Sequence, residues 1–130
     1  MKIIFVLSLV FLILSIYSCD DTILEIEKIK FPETNVSYQK QVQPVLNAKC
    51  ATVGCHDDAN ASGGLILTDY FSTVRPGIVD KGSPETSRLV WRIDGTSPKP
   101  MPPFGSRTPP LTKEQVKGII TWIREGARNN

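Results

Sequence analysis

The clearest periodic stretch lies near the C-terminus. Val116, Ile119, Ile120, Ile123 and Ala127 recur at three- and four-residue steps and so share one helical face, with Trp122 at the edge of the stripe. Thr112-Lys113-Glu114-Gln115 precedes this run as a capping box, and Leu111 is placed to staple against Val116. The pattern predicts a helix over 113–127. Upstream, Val42, Val45, Leu46 and Cys50 follow a similar period. Pro44 interrupts them, but a proline that costs about 3 kcal/mol inside a helix costs little in its first turn. Regular helix is therefore expected from Gln43, bringing Cys50 to its C-terminal end. A short helix is expected over 85–93, with Leu89, Val90 and Ile93 inward, and a single turn over 69–74. Between these elements run Ser62-Gly63-Gly64, Arg75-Pro76-Gly77 and the proline-rich stretch from Pro98 to Pro110. Strand-like alternation is scarce, so the expected fold class is all-α and rich in loops.

The N-terminus has a different pattern. Lys2 is followed by Ile3 to Ile16, apolar except for Ser8 and Ser15. That run falls short of the ~20 residues a membrane-spanning helix needs and fits the apolar region of an export signal. Leu14-Ser15-Ile16-Tyr17-Ser18-Cys19 resembles a bacterial lipobox, although Tyr17 replaces the usual small residue. The resemblance implies a signal over 1–18 and a lipid on Cys19 at the mature N-terminus, hence an exported, membrane-anchored protein facing the periplasm or cell exterior. The alternative is a plain secreted protein. Residues 19–36 mix apolar and charged positions without a clean period and are read as a tether. Residues 37–130 then form one small domain.

Composition narrows the function little. The formal net charge is +2, and removing Lys2 with the signal leaves 14 basic against 13 acidic side chains. No basic patch points to nucleic acid.

The candidate chemistry sits where the first helix ends. Cys50, Cys55 and His56 form C-x4-C-H, and His56 is the only histidine in the chain. C-x-x-C-H marks covalent attachment of a c-type haem, and the loop here is two residues longer. Two thiols can form thioethers to the haem vinyl groups, and the neighbouring imidazole can then reach the iron. A Cys50–Cys55 disulfide is an alternative, favoured by an oxidising compartment. Zinc would need about four Cys or His ligands, and no second pair follows. A lipid on Cys19 and two thioethers would employ all three cysteines.

Once Met1 is lost with the signal, Met101 is the only methionine. It stands in Lys99-Pro100-Met101-Pro102-Pro103, where proline stiffens the backbone and no apolar pattern surrounds it. A thioether is a soft ligand, and paired with histidine it raises the potential of a haem. A gap-filling methionine is the alternative.

Together these pieces resemble a class I-type c-type cytochrome domain, in particular the haem domains of small bacterial lipoproteins. The matching residues are Val42 to Leu46 leading into Cys50, then Gly54-Cys55-His56, Gly63-Gly64-Leu65 and Gly82-Ser83-Pro84 with Ser87 and Leu89. Met101-Pro102-Pro103, Leu111-Thr112 and Trp122 to Ala127 complete the set, which spans most of residues 38–128. The resemblance implies an all-α, cytochrome c-like fold of three to five short helices around one covalently bound haem, attached outside the cytoplasm. Carried onto this chain, it makes Cys50 and Cys55 the attachment points and His56 and Met101 the axial iron ligands. The implied role is one-electron transfer with redox partner proteins, without bond-making catalysis. Arg75, Arg88, Trp91 and Arg92 are further candidates, for the haem carboxylates, with solvated arginines and a core tryptophan as the plain alternative. An iron left open by Met101, doing peroxidase-like or sensing chemistry, is the rival haem reading, and a haem-free disulfide-stapled lipoprotein is the other.

Overall fold

A computed structural model describes residues 25–130, so the signal and Cys19 lie outside the described residues. After a helical turn at 25–27, four α-helices follow in order among the described residues: α1 (Gln43–Lys49), α2 (Tyr70–Thr73), α3 (Arg88–Ile93) and α4 (Lys113–Arg124). No strand occurs among the described residues, in agreement with the all-α expectation. A π-helical turn, Tyr38–Val42, runs directly into α1, and a 3₁₀ turn covers Ser62–Gly64.

The start of the first helical stretch is fixed by hydrogen bonds. The Ser37 hydroxyl accepts from Lys40 N, and Asn130 receives the N–H groups of Tyr38 and Gln39 through its side-chain and main-chain oxygens. Those amides belong to the first turn, which has no intrahelical acceptor for them. Pro44 sits in the first turn of α1, and Cys50 closes that helix with its N–H on Leu46 O at 2.8 Å.

The terminal helix has the capping box read from the sequence. The Thr112 hydroxyl accepts from Gln115 N, and the Gln115 amide oxygen accepts from Thr112 N. Its end comes at Arg124, three residues before the expected Ala127. Gly126, at φ 95°, makes the left-handed turn that glycine tolerates best. Gly126 N then bonds Ile123 O and Ala127 N bonds Trp122 O, both at 2.9 Å, which is the Schellman pattern. Ala127 is buried, in the place of that motif's hydrophobic contact.

The buried face of α4 is rotated from the expected stripe. Gln115, Gly118, Ile119, Trp122 and Ile123 are inside, whereas Val116 and Ile120 are half-buried and line an open groove beside Ile93 and Leu111. Trp122 is central rather than peripheral: it is fully buried and its ring centroid lies 5.2 Å from that of Tyr38. The core around it draws on Val42, Val45 and Leu46 of the first helical stretch and on Leu89 and Val90 of α3. Both α3 and the π-helical turn Tyr38–Val42 pack against α4.

The segment expected to be a tether is part of this packing from Ile26 onward. Ile26, Ile29 and Phe31 pack against the core and Val36 is buried within it. Phe31 lies against Gly118, where an added Cβ would come within 1.9 Å of the Phe31 ring. Gln115 Nε2 donates to Ile26 O, and the Glu125 carboxylate accepts from Asn35 N and Val36 N at 2.6 and 3.0 Å. Glu27 also pairs with Lys49, whose side chain is only 1% exposed, at 3.2 Å. The contacts are long-range and follow no short period, which is why the sequence pattern does not show them.

Candidate functional site

The loop after α1 folds on backbone bonds that start from Cys50. His56 N donates to Cys50 O at 3.1 Å, Cys55 N to Thr52 O at 2.9 Å, and Ser62 N to Cys55 O at 2.9 Å. The four-residue spacer Ala51–Gly54 is accommodated by Gly54 at φ 85° and by Val53, which projects into solvent at 95% exposure. Asp57 organises the turn beyond the histidine. Its carboxylate accepts from the N–H groups of Gly54, Ala59 and Asn60 and from the Asn60 amide. The Asn60 side-chain bond, then the Asn60 main-chain bond, hold that exposed carboxyl below the usual carboxylate range. An Asp that bonds main chain a few residues on is a turn signal the sequence itself carries.

The histidine is oriented by the chain that returns past it. His56 Nδ1 lies 3.1 Å from Leu65 O, and Leu67 N donates to His56 O at 2.9 Å. A carbonyl only accepts, so the shared proton belongs to Nδ1. With Nδ1 donating to that carbonyl, Nε2 is the nitrogen left to ligate, the arrangement seen in metal-ligating histidines whose other nitrogen donates to an outer-shell oxygen. Nothing in the sequence marks Leu65 for this role, because its contribution is a main-chain carbonyl.

Both thiols are free. Cys50 is buried and Cys55 half-buried. Loss of solvation pushes the Cys50 thiol up to about 12, with the neighbouring Cys55 adding to the rise and Lys49 opposing it.

Met101 comes from a separate loop. Its N–H donates to Arg92 O, at the C-terminal end of α3, at 2.7 Å. Met101 and Pro102 are joined by a cis peptide bond. The sulfur-bearing residue is thus carried on a loop anchored to a helix end.

These separate pieces face one cavity of about 430 Å³. Cys50, Cys55, His56 and Met101 all line it, together with the apolar Leu65, Leu67, Ile78, Leu89 and Ile93. The volume falls within the range of about 300–1,000 Å³ typical of cofactor pockets. Five cationic residues, Lys49, Arg75, Arg88, Arg92 and Lys99, also line it, with no Asp or Glu. Lys49 is engaged by Glu27 and Pro110 O, and Arg75 donates to Gly64 O at 2.7 Å. Trp91 does not line the cavity; its indole N–H donates to Glu85 O at 2.8 Å.

The donor set suits a covalently attached haem: one thiol at the end of α1 and a second in the loop after it, an imidazole beside them, a thioether on a separate loop, and apolar residues in the same lining. Among the described residues no group of three or more His, Cys, Asp or Glu could hold a free metal ion, so the arrangement does not suit zinc. No helix of the described residues is long and apolar enough to cross a membrane.

No curated protein and no solved structure matches this chain. Residues 53–105, which carry Cys55, His56 and Met101 but not Cys50, match the sequence model of PSCyt1, described as Planctomycete cytochrome C, and that match supports a cytochrome c-like domain.

Proposed function

We propose that this protein is a monohaem c-type cytochrome that carries single electrons. Cys50 and Cys55 hold the haem by thioethers, and His56 and Met101 are its axial ligands. The observation that carries this reading is the convergence of all four side chains on one cavity, although Met101 lies 45 residues beyond His56 in the chain. The family match over residues 53–105 supports the same class.

The haem supplies a reversible one-electron Fe(III)/Fe(II) couple. The chain's part is to hold and tune it. The Leu65 carbonyl fixes the His56 ring and leaves Nε2 available. The apolar wall of Leu65, Leu67, Ile78, Leu89 and Ile93 excludes water and lowers the local dielectric. The cationic lining suits the two carboxylates that a haem carries, and Arg88 has no hydrogen-bonded partner among the described residues to compete for it. With His56 and Met101 both holding the iron, the chain would leave it no site for a small molecule, which would favour electron transfer over catalysis. Electron donors and acceptors are then other redox proteins. Export and a lipid on Cys19 complete the proposal, supported by the Leu14–Cys19 sequence.

Expression with a cytochrome maturation system and mass spectrometry of the mature chain test the reading. One covalent haem is expected on the peptide holding Cys50 and Cys55, and a diacylglyceryl group on Cys19. The oxidised protein is expected to show the far-red sulfur–iron charge-transfer band. Met101→Ala should abolish that band and lower the reduction potential while the haem stays attached. A mature chain lighter by two hydrogens and free of haem would instead establish a Cys50–Cys55 disulfide.

A further inference from the structure

Arg92 touches the Met101 loop twice. Its main-chain carbonyl, at the C-terminal end of α3, accepts from Met101 N at 2.7 Å. Its guanidinium Nη1 donates to Lys99 O at 2.7 Å and to Ser97 Oγ at 3.1 Å. Ser97 Oγ in turn receives Lys99 N at 3.2 Å, so residues 97, 99 and 101 are fastened to one side chain and its own carbonyl. The last four carbonyls of a helix have no acceptor role inside it, and the Met101 N–H satisfies one of them. Arg92 forms no salt bridge among the described residues, so its guanidinium is committed to this loop rather than to a carboxylate.

The loop has few other restraints. Lys99 is exposed, Pro98, Pro100, Pro102 and Pro103 cannot donate main-chain hydrogen bonds, and Phe104 just beyond is 91% exposed. Prolines limit the shapes the segment can take but do not attach it to the domain. The attachment comes from Arg92, with Ser97 N on Trp91 O at 3.2 Å beside it.

We propose that Arg92 is the positioning residue for Met101: its guanidinium clamps the Lys99 carbonyl so that the methionine sulfur is held at the cavity wall. The proposal rests on the reading of Met101 as an iron ligand. A clamp of this kind acts on the competition between the thioether and any other ligand for that axial position, because a loop free to swing away gives the site up more often.

Imidazole added to the oxidised, haem-loaded full chain measures this competition. In Arg92→Ala, imidazole is expected to displace the sulfur about ten-fold more readily than in the unsubstituted protein, because the guanidinium's bonds to Lys99 O and Ser97 Oγ are lost and water replaces them only in part. Arg92→Lys keeps a cation that can still reach Lys99 O, and should recover part of that difference. Ser97→Ala removes only the shared hydroxyl and should give a smaller change in the same direction, which keeps the proposal testable where Arg92→Ala does not fold. Thermal unfolding of the same variants separates the roles. A merely structural Arg92 would lower the midpoint and leave imidazole affinity unchanged in all three variants, and that result would overturn the clamp. Failure of the underlying reading looks different: the unsubstituted haem protein would lack the far-red band, and Met101→Ala would bind imidazole no more tightly than its parent.

Discussion

Around α4, large side chains meet one another; around the cavity, main-chain amides meet carbonyls and a few short polar groups. Trp122, Ile119, Ile123, Leu46, Val45 and Val42 are all without solvent contact. On the cavity side Cys55, His56, Leu65 and Met101 are only half-buried. Their positions are set by bonds such as Leu67 N to His56 O and Met101 N to Arg92 O. The first region stays together by removing apolar surface from water, at about 25 cal/mol per Å². The second is built largely from loops held by local hydrogen bonds, with Leu67, Ile78 and Leu89 joining its wall to the core. A scaffold and a socket therefore coexist in one small domain, and they should fail under different insults.

The scaffold should give the largest effect. Trp122→Ala removes the largest fully buried side chain and the indole N–H that donates to Arg128 O at 2.9 Å. A loss of about 3–5 kcal/mol is expected, a large part of the 5–15 kcal/mol total of a typical domain. Urea unfolding followed by far-ultraviolet circular dichroism measures it. A loss below about 1 kcal/mol would show that Trp122 is not the centre of the scaffold.

The socket should respond most to the absence of the haem. In Cys50→Ala/Cys55→Ala, which cannot form thioethers, the amides of Leu67 and Met101 should exchange about a hundred-fold faster than in the loaded protein, equivalent to roughly 2.8 kcal/mol. The inner amides of α4 should change by only about three-fold, since their bonds close within the scaffold. Equal acceleration in both regions would mean that one cooperative unit spans the molecule and that the division drawn above is wrong.

The boundary of the scaffold can be tested at Phe31. Gly118→Val places a branched side chain where even a Cβ meets the Phe31 ring and its Cβ, at 1.9 and 2.7 Å. Overpacking of this kind costs about 1–3 kcal/mol. Phe31→Ala in the same chain should recover much of that loss, a coupling that only residues in contact produce. Additive effects would detach residues 26–31 from the core and restore the tether read from the sequence.

That segment marks where sequence patterning stops being informative. The capping box at Thr112, the start of α1 near Gln43 and the delivery of Cys50 to its end were legible because each depends on residues within a turn or two of one another. Cys55, His56 and Met101 were legible because their types are rare in this chain and chemically particular. Two kinds of information were hidden. Gln115 and Gly118 belong to the buried face of α4, yet neither is a large apolar residue, so the apolar stripe holds Ile119 and Ile123 correctly but takes in Val116 and Ile120 in their place. Leu65 and Arg92 shape the site through main-chain carbonyls, and every residue has one of those. Packing of Ile26, Ile29 and Phe31 depends on partners some ninety residues away, beyond the reach of any local period.

The smallest effect expected concerns the hydroxyl that both helical ends of the scaffold enclose. Tyr38 is buried, packs edge-on to Tyr70 at 5.1 Å between ring centroids, and bonds Gln43 and Thr73 through its oxygen. Loss of solvation pushes its phenol from 10.0 up to about 12. Between those values the unfolded chain gives up the proton and the folded chain keeps it, so the folded state binds more protons. The contribution of Tyr38 is therefore fully present below pH 10 and is lost as pH rises towards about 12. Tyr38→Phe should be somewhat less stable at pH 8, by about 1 kcal/mol for the missing hydrogen bond, but should lose stability less steeply between pH 10 and 12. Urea midpoints of both proteins across that window decide the point. Parallel slopes would mean that water reaches the phenol, and the scaffold would then be wetter at the junction of α1 and α2 than its packing implies.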